Sequence, residues 1–287
     1  PPQKPLRILV LFAGSGDSPS ALHHLLRKAG HSVCALDTKL GGAAHDVLRP
    51  DVGVRILVRV AAAEFDAVFV ATPCSSYSVR HRPKLRTDSE PLGKKPIPPE
   101  WRAYVDKHNR LAEFTSRVID MARATSTPLA MENPAARSDP DSPAWWAEYS
   151  DHGSIWHMPC IAKALGLAHA KLYTFAQCML GSKAQKWTTL AATGELRRLL
   201  AALGSPRYAC SHGYDGHEEI LNGRDALGRS MTAEAAAYPA GLNHVIADAL
   251  VAAGTHVQRA RGGKHRSLAT PPQSGEGRVG DGADLGP

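Results

Sequence analysis

Two short segments carry side chains able to do covalent and proton chemistry. Cys74 lies in Pro73-Cys74-Ser75-Ser76-Tyr77-Ser78, where a chain leaving an apolar strand presents a thiolate to a cleft. A lone cysteine is more often a small buried apolar group, and its place past the strand end argues against that here. Glu132 opens Glu132-Asn133-Pro134, after another apolar run. Such a carboxyl either caps a turn or is held partly buried, where desolvation raises its pKa and keeps it protonated. The pair offers a nucleophile and a proton donor.

A third segment is suited to a ligand. The first apolar run ends in Phe12-Ala13-Gly14-Ser15-Gly16, and the next ends in Asp37, about twenty residues on, where a carboxylate can accept hydrogen bonds from a ribose diol. A Gly-x-Gly pair alone is found in any tight turn. The third glycine of the dinucleotide pattern is missing, with Ser18 and Pro19 at the helix start instead. That combination suits an adenosine-type ligand without a pyrophosphate, and S-adenosylmethionine is the candidate.

The elements that must position these residues follow from periodicity. Leu6 to Phe12 reads as a buried strand, Ser18 as an N-cap with Pro19 at the first helical position, and Leu22, Leu25, Leu26 and Ala29 as one helix face before Gly30. His31 to Asp37 is a second strand, completing a βαβ unit. Asp46-Val47-Leu48 is expected as a third short strand, Pro50 to Ala63 as a helix, Ala67 to Ala71 as a strand and Arg80 to Pro99 as an exposed basic loop. Val105 to Ala124 is expected as a helix and Pro128 to Met131 as the strand delivering Glu132. Further on, Tyr173 to Ala176 reads as strand, Gly194 to Leu203 as helix, and residues 233–253 as a final helix or helix pair around Tyr238-Pro239. This alternation predicts an α/β fold, a doubly wound, mostly parallel sheet of the Rossmann-like type, with a small irregular second region. The expected domains are 1–180 as the ligand-binding and catalytic unit, 181–230 as an insert, 231–254 as a helix packing back, and 255–287 as a disordered Gly- and Arg-rich tail.

The 287 residues are enough for a sizeable core, and 43% of them are hydrophobic. No run approaches the ~18–20 apolar residues that span a bilayer, and the start, Pro1-Pro2-Gln3-Lys4-Pro5, has no apolar signal segment behind it. A soluble intracellular protein with no membrane partner is expected, nuclear if its source is eukaryotic. A chain beginning with Pro rather than Met is expected to be a processed product or a piece of something longer. Five cysteines, an odd number at irregular spacing, do not suit a secreted disulfide framework, and reduced thiols are expected. The formal net charge of +7 suits a polyanionic partner without requiring one.

Taken in order, Phe12-Ala13-Gly14-Ser15-Gly16, Asp37, Asp46-Val47, Pro73-Cys74-Ser75-Ser76-Tyr77-Ser78 and Glu132-Asn133-Pro134 resemble the motif series of the cytosine-5 DNA methyltransferase family. The likeness covers roughly residues 6 to 137, with a fainter match at Tyr238-Pro239 and the closing helix. It implies a Rossmann-like fold of the S-adenosylmethionine-dependent methyltransferase type, with Phe12, Ala13, Gly14, Ser15, Gly16, Asp37, Asp46, Val47 and Pro73 at the cofactor. It also implies that the thiolate of Cys74 adds to C6 of cytosine while Glu132 donates a hydrogen bond or proton at N3, so that C5 takes up a methyl group. DNA is then the partner, with the target base flipped out of the duplex and the protein acting as a monomer. Ser76, Arg80, Arg82, Lys84, Arg86 and Gln177 are the residues expected to face the nucleic acid, along with Lys94 and Lys95. A solvated charged loop is an equal alternative for the loop cations.

The chain departs from the family in its second half. Bacterial members carry Gln-x-Arg-x-Arg where this chain has Gln177-Cys178-Met179-Leu180-Gly181, so the glutamine stays and both arginines are missing. Lys183 and Lys186 follow closely and are candidates to compensate, as in the shorter phage-like and mobile-element-like relatives that this half more nearly resembles. The stretch from Gly181 to Ser230 is too short for a large recognition domain, which predicts loose sequence reading. Cys178, Cys210, His212 and His217 are residue types that bind zinc, though their spacing matches no familiar finger and scattered polar residues are the preferred reading. Two alternatives stay open: a catalytically inactive nucleic-acid-binding relative, and the same chemistry on tRNA.

Overall fold

The computed structural model describes residues 4–212, 216–219 and 237–267. Its frame is one six-stranded sheet in the order β2-β1-β3-β4-β6-β5. The strands are β1 (Arg7–Leu11), β2 (Ser32–Leu36), β3 (Ala67–Val70), β4 (Leu129–Pro134), β5 (Lys171–Ala176) and β6 (Trp187–Ala192). The first four run parallel, and β6 lies antiparallel to both β4 and β5. The architecture is α/β with a mixed, mostly parallel sheet, compatible with a Rossmann-like fold.

Both faces of the sheet are covered, because its central strands are apolar on both sides. Leu9, Leu11, Val68, Val70 and Met131 pack with α3 (Pro50–Ala61), α4 (Pro99–Ala124) and α5 (Pro159–Leu167). The alternate residues Ile8, Val10, Ala67, Phe69 and Ala130 pack with α1 (Leu22–Lys28) and α7 (Ala240–Ser267). The period of two that splits these sets is the pleat itself. Each fully buried aliphatic side chain contributes about 1.5–3 kcal/mol of transfer free energy, so this double layer, rather than helix propensity, holds the sheet. The helices α3, α4 and α5 each begin with a proline in the first turn, whose fixed φ fits a helix start and whose missing N–H has no partner to lose there.

Several expectations are corrected. Ser18 and Pro19 do not start α1: Ser18 accepts from the N–H of Ser20 in a local turn, and the helix opens at Leu22. Asp46-Val47-Leu48 is no strand; it follows the short α2 (Thr38–Gly41) and a 3-10 turn at Gly42–His45, and the Asp46 carboxylate accepts from the Leu48 N–H at 3.0 Å, which bends the chain into α3. Residues 194–203 divide between the short α6 (Leu196–Leu199) and a 3-10 turn at Ala201–Gly204. β6 and α5 were absent from the sequence reading. Since β6 sits between β4 and β5, the sheet does not end at residue 180.

The helix α7 also runs well beyond 254. Its extension is fastened by polar groups: Gln258 donates to Pro5 O and Asp66, and Arg261 donates to the carbonyls of Ala63 and Phe65 and to Thr127. Arg261 is thus engaged in the fold rather than free in a basic tail. Residues 268–287, and 233–236 of the expected final helix, lie outside the described residues. No described helix is long and apolar enough to cross a membrane.

Candidate active site

The sheet register brings the motif ends together. Leu36, Leu11, Val70 and Met131 stand side by side on β2, β1, β3 and β4, so the next residue on each strand, Asp37, Phe12, Ala71 and Glu132, reaches the same carboxyl edge. The chain runs outward from β1 to β2 in one direction and to β3 and β4 in the other, and such a reversal opens a crevice at that edge.

On the β1 side, three left-handed residues shape the loop: Phe12 (φ 60°), Gly14 (φ 76°) and Gly16 (φ 75°). Phe12 is the costly one, because a side chain in that region is strained and persists only where the surroundings impose it. Asp37 supplies part of that restraint. Its Oδ2 accepts from Gly14 N at 2.9 Å and its Oδ1 from Lys39 N at 2.8 Å. A carboxylate has about four acceptor positions, so capacity for a diol is left over. A side chain on Gly16 would meet His23 at 2.9 Å, whereas one on Gly14 would meet nothing within 4 Å. The loop is therefore closed against α1 at Gly16 and has open space at Gly14.

On the β3 and β4 side, Pro73 leads into Cys74, which caps a 3-10 turn at Ser75–Tyr77. Asn133 ties the two strand ends, its Nδ2 donating to Thr72 O at 2.6 Å, and Trp156 Nε1 donates to Pro134 O at 2.9 Å. Glu132 is buried, 4% exposed. The Tyr238 hydroxyl donates to its Oε2 at 2.6 Å, while Oε1 has no hydrogen-bond partner among the described residues. Lys186 completes the group, its ammonium 5.5 Å from the centre of the Tyr238 ring.

These neighbours set the charges. Burial raises the pKa of Glu132, against the smaller opposing pulls of Lys186 and of the Tyr238 hydrogen bond. Burial also raises the Cys74 thiol; Lys186 pulls it down and the Glu132 charge pushes it up. Tyr238 is held well above its usual value by burial and then by Glu132, so it stays a donor. An order of reactivity follows. Alkylation of Cys74 by iodoacetamide, followed on its own peptide, is expected to rise with pH through a midpoint above that of an ordinary thiol. Lys186→Met should move that midpoint up and Glu132→Gln should move it down. A midpoint indifferent to both substitutions would contradict the coupling.

The residues expected at nucleic acid divide between the interior and the surface. Arg86 is buried, 2% exposed, with its guanidinium 4.1 Å from the centre of the Tyr77 ring and donating to Ser76, Asn109 and the carbonyls of Pro91 and Val105. Ser76 is buried as its acceptor, so neither faces outward. Gln177 is also buried, its Nε2 donating to Thr188 Oγ1 at 2.8 Å inside the β5–β6 pair. Lys84 is ion-paired with Asp151, and Arg82 donates to the carbonyls of Val79 and His81. Lys94 and Lys95 are exposed. Arg86→Met is accordingly expected to cost about 3 kcal/mol or more in urea unfolding, since it strands several buried acceptors. A cost below about 1 kcal/mol would mean that the guanidinium is not engaged in the fold.

Other site residues escaped the sequence reading. Burial first, and the nearby Arg80 charge second, lower the Arg137 pKa to about 10. His108 Nε2 lies 3.0 Å from the Oγ of Ser75, next to Cys74, and its Nδ1 lies 2.9 Å from the carbonyl oxygen of Tyr104. With Trp101 and His81 they form a run of ring contacts leading away from Cys74, centroids 4.4 to 5.7 Å apart. The signal was available, since Trp101, Tyr104 and His108 recur at helical spacing on α4. Cys178, Cys210, His212 and His217, by contrast, converge at one point away from the scattered arrangement that was preferred.

No known protein family and no curated protein matches this chain, so its own residues carry the functional reading.

Proposed function

We propose that the protein methylates C5 of cytosine in DNA, using S-adenosylmethionine as methyl donor and Cys74 as a covalent nucleophile. The observation that carries this reading is Glu132: a buried carboxyl with one oxygen taken by Tyr238 and the other without a partner, electrostatically coupled to the thiol of Cys74. A buried oxygen left unsatisfied costs free energy unless a ligand completes it. A protonated Oε1 would donate to N3 of a cytosine ring and draw electron density from C6. The Cys74 sulfur adds at C6, and Lys186 favours the thiolate that does so. C5 thereby becomes an enamine carbon. Once C5 has taken up the methyl group, a water molecule takes the C5 proton, the freed pair forms the C5–C6 double bond, the sulfur leaves C6 as the Cys74 thiolate, and the N3 proton returns to Glu132.

The β1 loop fits the methyl donor. Gly14 leaves open space at its α-carbon, Asp37 retains acceptor capacity for a ribose, and Val47 is a buried apolar wall beside Asp46. Phe12, Ala13, Gly14, Ser15, Gly16, Asp37, Asp46, Val47 and Pro73 would hold the adenosine and amino acid portions, and S-adenosylmethionine, when bound, supplies the sulfonium methyl that C5 takes up. With Arg86 inside the fold, phosphate contact would fall to exposed loop cations such as Lys94 and Lys95, and the ring contacts from Tyr104 to His81 offer a stacking face.

The test is methyl transfer from tritiated S-adenosylmethionine to separate pools of unmethylated DNA and tRNA, with digestion to identify 5-methylcytosine. Transfer to DNA is expected. Transfer to tRNA alone would move the substrate, and none to either pool with cofactor binding intact would overturn the catalytic reading.

A further inference from the structure

We infer that Cys178, Cys210, His212 and His217 form a structural zinc site. Cys178 lies in the 3-10 turn after β5 (Gln177–Leu180), and the other three come from a segment more than thirty residues later, yet their ligand atoms all lie within 4.8 Å of one another. Cys210 Sγ is 3.4 Å from His217 Nε2 and 3.8 Å from His212 Nδ1. With Zn–S near 2.3 Å and Zn–N near 2.0–2.1 Å, the edges of a tetrahedron between such ligands are about 3.3–3.8 Å. These two separations are of that size and all four ligand atoms lie within 4.8 Å, so the group would close around a cation by a shift of about 1 Å or less. The imidazole planes of His212 and His217 stand at 79° with centroids 5.2 Å apart, each offering one nitrogen toward the same thiol.

The choice of metal follows from the donors. Two thiolates and two imidazoles are soft and borderline ligands, a set that suits zinc and leaves no open position for catalysis.

The site also has structural work. Residues 204–212 and 216–219 consist of turns and one isolated bridge, with few buried side chains of their own. Such a segment benefits from a metal staple. Its far end is joined to the chain entering β6: Glu219 N donates to Lys183 O at 3.2 Å, and Lys183 pairs with Glu218 at 3.5 Å. Lys186, the cation that tunes Cys74, follows three residues later, so the staple braces one wall of the candidate active site.

The test is metal analysis of the full chain purified from zinc-supplemented cells and dialysed. About one zinc per chain is expected. Cobalt substitution should give the intense visible bands of a tetrahedral ion and a thiolate-to-cobalt charge-transfer band. Bound zinc should protect the Cys178 and Cys210 peptides, but not Cys34, from alkylation, and chelation should remove that protection. Cys210→Ser and His217→Gln should lose the metal, while Cys160→Ser keeps it. Wild-type protein that binds no zinc after refolding with the metal, or a cobalt spectrum that is octahedral and lacks thiolate character, would overturn the inference without depending on whether any variant folds.

Discussion

Cys74→Ser is expected to lower methyl transfer to cytosine at least about a thousandfold while S-adenosylmethionine binding stays within a few-fold of wild type. The argument is electronic. Cytosine C5 is a poor nucleophile until a group adds at C6, and a serine hydroxyl is far less ionised than a thiol even when the thiol is itself raised by burial. Serine is close to isosteric with cysteine at this half-buried position, so the turn at Ser75–Tyr77 should be kept. Thermal unfolding and cofactor titration of the variant separate loss of chemistry from loss of fold. Equal transfer by the variant would remove Cys74 from the mechanism.

Glu132→Gln is expected to lower turnover by about 10²–10⁴-fold, the range for loss of a positioned general acid. Glutamine preserves the size of the side chain and can still accept from Tyr238, so the packing of β4 against β6 should hold. What is lost is a transferable proton. The sign of the pH effect follows from the raised pKa of Glu132, which burial causes. The protonated acid is present below that raised value and lost as pH climbs through it, whereas the thiolate of Cys74 increases with pH. Wild-type turnover should therefore pass through a maximum. The Glu132→Gln variant should lose the alkaline decline and keep the rise due to Cys74. A variant with unchanged turnover would mean that the buried carboxyl serves only to hold Tyr238.

How far these features were legible in the sequence depended on how local their causes are. The strand ends carrying Phe12, Asp37, Cys74 and Glu132 were legible because an apolar run and its closing Gly, Pro or Asn are contiguous. β6 was not. Its residues, Trp187-Thr188-Thr189-Leu190-Ala191-Ala192, are all buried, so no alternation marks it, and only the flanking β4 and β5 make it a strand. The burial of Gln177 was hidden for the same reason, since its partner Thr188 sits on that strand. Arg86 looked like one charge among several in a basic loop, yet its partners Val105 and Asn109 come from α4. The end of α7 read as aperiodic tail because Pro5, Asp66 and Thr127, which fasten it, are scattered along the chain. In each case the missing information was a contact distant in sequence. The orphan oxygen of Glu132 belongs to this class too, because Tyr238 lies 106 residues away.

The central claim is that Cys74 bonds covalently to cytosine, and trapping on DNA containing 5-fluorocytosine tests it most directly. Fluorine at C5 cannot leave as a proton does, so the methylated adduct persists once it forms. In the presence of S-adenosylmethionine, wild-type protein should give a denaturation-resistant complex whose cross-linked peptide maps to Cys74. Cys74→Ser should give none. Wild-type protein that binds the cofactor and the DNA but forms no such complex, or an adduct mapped to another residue, would contradict the account.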